Sequence, residues 1–197
     1  MHASTAVRLL RAEDAQRVRW RNGLGWTREI HAEAGAEDDA WLWRISIADI
    51  EQPAAFSRFE GVERELMLLS GDGLELRFED GERADLQAPH GRLRFAGHRA
   101  VDGTPVGPGV SAFNLMRRPA RVEASVWHRP LVGTMVVFVD PGHCWALHVL
   151  AGEVRLTDTD PMTGTRGDTL LLRAAEDRRR FVLDGGGELL LARFSPL

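Results

Sequence analysis

Lysine and tyrosine are both absent from the 197 residues, so all 25 basic side chains are arginine. Without a primary amine on a side chain there is no Schiff-base partner for pyridoxal phosphate or a carbonyl substrate and no P-loop lysine, and without a phenol there is no tyrosine acid or nucleophile. Cysteine is nearly absent too. Cys144 stands alone and has no mate for an intrachain disulfide, so nothing asks for an oxidising compartment. Long apolar runs are missing: stretches such as Met135–Val139 fall far short of the ~20 residues that a membrane-spanning helix needs. The first 16 residues contain Arg8, Arg11, Glu13 and Asp14 and no apolar segment of a secretory leader. A cytoplasmic location without membrane attachment is expected. The net charge of −4 argues against a protein that gains its affinity by neutralising phosphates, and nucleic acid is excluded as a partner.

What is present is an ordinary globular balance, 44% hydrophobic and 27% charged, enough for one domain or two small ones. Short apolar or alternating runs recur between Gly, Pro and Asp, the pattern of an all-β sandwich or barrel. The clearest are 41–48, 65–78, 111–116, 122–127, 135–139, 145–156, 168–172 and 188–194, which makes eight strands a minimum. Helix is predicted only over 11–19. The Gly/Pro-rich stretch 102–109 reads as a loop, and Arg118-Pro119 marks a break, dividing the chain into halves 1–118 and 119–197. Leu66-Met-Leu-Leu-Ser-Gly71 with Leu74-Glu-Leu76 is echoed by Leu147-His-Val-Leu-Ala-Gly152 with Val154-Arg-Leu156, and each reads as a β-hairpin closed by a glycine turn.

Side chains alternate across a strand, so parity sorts them by face. Arg44 and Ser46 fall together, opposite Trp43, Ile45 and Ile47. Arg28 shares a face with Trp26 and Ile30, Arg64 with Leu66 and Leu68, and Asn114 with Ala112 and Met116. A guanidinium among apolar neighbours needs an anion, because an uncompensated buried charge costs several kcal/mol. The chain's own candidates are Glu29, Asp49, Glu63 and Glu65; the external candidate is a ligand carboxylate gripped by the arginine fork.

Trp20-Arg-Asn-Gly-Leu-Gly-Trp-Thr-Arg-Glu-Ile30 resembles the W-K-N-G-G-G-x-T-R-E-I signature of the HutD/Ves family. Trp43-Arg-Ile-Ser46, Phe56-Ser57-x-Phe59-x-Gly61-x-x-Arg64, the turn at Gly71, Phe95-Ala-Gly97 and Asn114-Leu-Met-x-Arg118 follow in that family's order. The resemblance implies a double-cupin β fold and a role in histidine utilisation, with a small carboxylate metabolite such as formylglutamate or urocanate as partner. By matching position it implies a pocket drawn from Asn22, Thr27, Arg28, Glu29, Arg44, Ser46, Ser57, Phe59, Arg64 and Asn114. It leaves a homodimer open. Arg21 and Leu24 replace the usual lysine and glycine of the first loop, and His98 stands where an acid is common.

A cupin fold raises the question of a metal. His143 and His148 are five residues apart, where a cupin centre wants imidazoles at i and i+2 on one strand face, and no histidine follows them. No metal and no cofactor are expected. The sequence therefore reads as a regulatory metabolite-binding protein, with an isomerase or hydrolase using Glu29 as general base as the alternative.

Overall fold

The computed structural model describes residues 6–20, 23–35, 41–158 and 161–197. They are almost wholly β-structure. The strands of the first half are β1 (Val7–Leu10), β2 (Arg17–Arg19), β3 (Gly25–Glu33), β4 (Trp43–Ile50), β5 (Ala54–Ala55), β6 (Glu63–Ser70), β7 (Gly73–Phe78) and β8 (Arg83–Gln87). They are followed by β9 (Arg92–Ala96), β10 (Val101–Val106), β11 (Val110–Arg117), β12 (Val122–Val139), β13 (Cys144–Leu156), β14 (Met162–Thr165), β15 (Thr169–Arg173) and β16 (Arg179–Pro196). One 3-10 turn, Ala12–Asp14, is the only helical element among the described residues.

The helix expected over 11–19 does not form. Its second half is β2, paired with β3, and the Arg17 and Arg19 guanidinium carbons lie 4.4 and 4.7 Å from the centre of the Trp26 ring. Residues two apart share one face only in an extended strand, so the contact with Trp26 selects strand over helix.

The chain divides into two compact units, residues 16–121 and residues 6–15 with 122–197. The division drawn from sequence at 118/119 thus falls three residues before the structural one, and residues 6–15 group with the second half rather than the first. Antiparallel pairing of β1 with β15 (Val7↔Leu172 to Leu10↔Thr169) accounts for this. Asp168 reinforces it by accepting hydrogen bonds from the Ala12 amide, Arg11 Nη1 and the Thr165 amide at 2.9, 2.9 and 3.0 Å.

In the first unit a six-stranded antiparallel sheet, β2-β3-β4-β11-β6-β9, and a four-stranded one, β5-β10-β7-β8, bury one shared core. Ile50, Leu66, Leu68 and Phe95 come from the larger sheet, and Leu74, Leu76, Phe78 and Leu86 from the smaller. The predicted hairpin around Gly71 is instead a corner: β6 pairs with β11 and β9, β7 with β10 and β8. Gly71 has φ +96°, and a Cβ there would lie 2.6 Å from Val110, so the chain can change sheets at this point only without a side chain. The second echo is one continuous strand, β13, with a register shift between Val149 and Ala151.

The second unit is a single sheet, β1-β15-β13-β16-β12 with β14 on β13, around an aliphatic core that includes Leu131, Leu147, Val149, Val154, Leu170, Leu172, Phe181 and Leu189.

The Gly/Pro-rich stretch 102–109, expected as a loop, is mostly β10. Gly103 serves packing rather than turning: a Cβ there would meet the Phe56 ring at 2.6 Å. Gly103→Ala is therefore expected to destabilise by about 1–3 kcal/mol through overpacking, read from the midpoint of urea unfolding.

Candidate functional site

The register of the larger sheet places polar side chains on its core-facing side. Across β4, β11, β6 and β9 one row reads Arg44, Met116, Arg64, Phe95, and the neighbouring row on β4, β11 and β6 reads Ser46, Asn114, Leu66. Leu66 and Phe95 belong to the shared core, which fixes the side to which Arg64 and Asn114 point.

Arg64 is 6% exposed. Its guanidinium carbon lies 5.3 Å from the ring centres of Phe56 and Phe95 and 5.8 Å from that of Phe59, so three π faces partly solvate the charge. Its acceptors are neutral: Nη1 donates to the Ser57 carbonyl at 3.2 Å, while Nε and Nη2 both donate to Asn114 Oδ1 at 3.4 and 3.5 Å. Asn114 Nδ2 in turn donates to Ser46 Oγ at 3.3 Å. Among the described residues no carboxylate pairs with Arg64. Burial, with the nearby charge of Arg44 adding to it, lowers the Arg64 pKa from its ordinary value to about 10. The side chain is thus charged at neutral pH and under-compensated. Two long bonds from one fork to one amide oxygen are a poor match for a group built to take two oxygens at once.

The remaining predicted residues separate cleanly. Arg44 is only 19% exposed and donates from Nε to the half-exposed Glu29 carboxylate at 2.6 Å. Arg28 pairs with Ile47 in the register, which puts it on the opposite side of the sheet from Ser46, where Asp49 lies 3.5 Å from its Nη2. It does not join Arg64. The expected company of Arg28 with Ile30 also fails, because a register shift between Glu29 and His31 breaks the alternation there. Thr27 accepts from Trp20 Nε1 at 2.8 Å and fixes that ring edge-on to Phe56, a supporting role. Ser57 contributes its backbone carbonyl, its side chain being exposed. The Phe59 ring centre lies 5.8 Å from the Arg64 guanidinium carbon, and Asn22 lies outside the described residues. Phe56 and Phe95 were not singled out as site residues; Phe95 faces Arg64 directly in the β6–β9 register, a relation that no local pattern encodes.

The donors around Arg64 do not fit a metal. In the first unit the buried polar cluster is a guanidinium, an amide and a hydroxyl, a set that attracts an anion. In the second unit the buried polar side chains are His148, Asp168 and Thr169. His148 Nδ1 is hydrogen-bonded to Thr169 Oγ1 at 2.9 Å and His143 Nδ1 to Ser195 Oγ at 3.2 Å, so each has a local partner. An open surface hollow of about 320 Å³ beside Arg58, Asp80, His98 and Arg99 has its charge already matched, since Arg99 Nη2 lies 2.6 Å from both Asp80 and Glu82.

Two β-units in one chain, the first with a polar cluster inside its sheet pair, define a double-cupin β protein. The family model HutD matches residues 12–191, and the chain belongs to the HutD family. An uncharacterised 21.2 kDa protein of the hutC 3′ region of Pseudomonas putida is 39% identical over 118 residues, 60% of this chain and 62% of that protein. A protein named Ves from Escherichia fergusonii is 46% identical over 108 residues, 54% of this chain and 56% of its own length. The matched stretch thus spans about three-fifths of these relatives. A solved structure of HutD from Pseudomonas fluorescens SBW25, described as a formate condition, superposes with a TM-score of 0.84 at 26% identity, covering 98% of this chain and 100% of that one. No helix among the described residues is long and apolar enough to cross a membrane.

An arginine charge without a carboxylate opposes folding. Because the pKa is lower in the folded state than in the unfolded chain, the penalty, roughly 3 kcal/mol, is fully present below about pH 10 and is relieved as pH rises above it. Arg64→Met, which keeps much of the volume and drops the charge, is expected to match or exceed the parent in thermal midpoint at pH 7, whereas Arg64→Ala, which opens a void among three phenylalanines, is expected to fall below it.

Proposed function

We propose that this HutD-family protein binds a small carboxylate metabolite of histidine degradation at Arg64, Asn114 and Ser46 in its first unit. A single observation carries the reading: the guanidinium of the buried Arg64 has as its acceptors among the described residues a backbone carbonyl and one amide oxygen. A carboxylate supplies two oxygens and the missing negative charge. Bound at the Nε/Nη2 edge, it would displace the two long bonds to Asn114, whose amide is then available to the same ligand. Desolvation that weakens the empty protein strengthens the complex, because the attraction between opposite charges grows as water is excluded. The family's association with histidine utilisation narrows the ligand to formylglutamate or urocanate and favours a regulatory role. The alternative reading, with Glu29 as general base, has less support, since the bonded partners of Arg64 are Asn114 and the Ser57 carbonyl and Glu29 pairs with Arg44 instead.

Calorimetric titration with formylglutamate, urocanate and formate tests this. Heat is expected with at least one of the metabolites, and Arg64→Met is expected to lose about 10–100-fold in affinity, the value of a charge-assisted hydrogen-bonded pair. Absence of heat with every carboxylate would remove the proposal.

A further inference from the structure

Arg44 stands on the same side of the sheet as Arg64, two strands away, with Met116 of β11 between them in the register. Strand spacing puts their Cα atoms about 9–10 Å apart, a span that two side chains of this length can bridge through a short ligand. The Arg44 guanidinium uses one N–H, on Nε, for Glu29, and among the described residues no acceptor is bonded to Nη1 or Nη2. Its outer edge, the edge that presents two parallel N–H groups to a carboxylate, is open. The two members of the Arg44–Glu29 pair are unequal. Arg44 is held by the protein with 19% exposure, and Glu29 reaches it from the neighbouring strand β3 with half its side chain in water. Glu29 can therefore leave for solvent at little cost, as exposed ion-pair partners do, while Arg44 cannot.

From this arrangement we infer that the site takes a dicarboxylate, one carboxylate on Arg64 and Asn114 and the other on the outer edge of Arg44, with Glu29 as an internal carboxylate that competes for Arg44. The inference rests on the proposed carboxylate site at Arg64 and adds to it the class of ligand: two acids joined by a short chain rather than one acid. Two guanidinium groups on one sheet side repel each other, and the charge of Arg44 does weigh on Arg64. A ligand of charge −2 neutralises both together, which a monocarboxylate cannot do. Glu29 meanwhile keeps Arg44 from being a bare charge when no ligand is present and sets a threshold that a single carboxyl group does not overcome.

The test compares glutarate with butyrate by calorimetry on the full chain and on Glu29→Gln, Arg44→Met and Arg64→Met. Glutarate is expected to bind the parent about tenfold or more tightly than butyrate, an added charge-assisted contact at a partly exposed group. Glu29→Gln is expected to tighten glutarate several-fold and leave butyrate unchanged. Arg44→Met is expected to erase the preference while retaining butyrate binding, which also shows that the variant is folded. Equal affinities for the two acids in the parent, with Arg64-dependent binding intact, would overturn the dicarboxylate inference and leave the carboxylate site standing. Weaker glutarate binding in Glu29→Gln would overturn the competing role of Glu29. No binding of either acid to the parent would overturn both readings together.

Discussion

A guanidinium kept inside a β-core and answered by an amide rather than a carboxylate is the constraint to which the first unit is fitted. Arg64 sits at a strand position where parity demands a core side chain, and its neighbours are chosen to make that tolerable: three phenylalanine faces, the Ser57 carbonyl and Asn114 backed by Ser46. None of these supplies a negative charge. A protein under selection for stability alone would place an apolar residue at 64, or set Glu or Asp opposite it, since burying an ion without a counter-ion costs several kcal/mol. Under the proposed function that cost is the empty half of a binding equilibrium, in which the missing charge arrives with the ligand.

The other arginines show how local the effect is. Arg28 and Arg44 belong to the same sheet, yet the chain provides Asp49 for one and Glu29 for the other. On the far side of that sheet Glu65, itself buried, is held by Arg94 Nε and Nη2 at 3.1 and 2.6 Å, and Glu63 by Arg117 Nη2 at 2.6 Å. Carboxylates are thus within reach of β6 on one side and withheld from Arg64 on the other. Strand alternation makes this possible, because residues 63 and 65 point away from residue 64.

The two units divide the work differently. The second unit is built around an apolar core that includes Leu147, Val149, Leu170 and Phe181, and its buried Asp168 clasps residues 11 and 12 onto it. The first unit spends part of its core on polar side chains and carries the proposed site. Gly71 and Gly103 are tied to that choice: one lets β6 and β7 enter different sheets, and the other leaves room for the Phe56 ring beside Arg64.

Alternation along 43–48, 64–68 and 112–116, read without a structure, already placed Arg44, Ser46, Arg64 and Asn114 on the faces they occupy, because strand periodicity is a local property and these strands are unbroken through those residues. The family signature named most of the others. What it could not supply was which arginine lacks an acid. Arg28 shares the signature but lies across the sheet, a register shift before His31 breaks the period, Ser57 acts through its backbone, and Phe95 meets Arg64 only through pairing of β6 with β9. Composition and periodicity determined an all-β chain with arginines turned inward. Compensation is a matter of distances between residues far apart in sequence, fifty positions for Arg64 and Asn114 and sixty-eight for Asn114 and Ser46, and only the tertiary pairing of strands decides those.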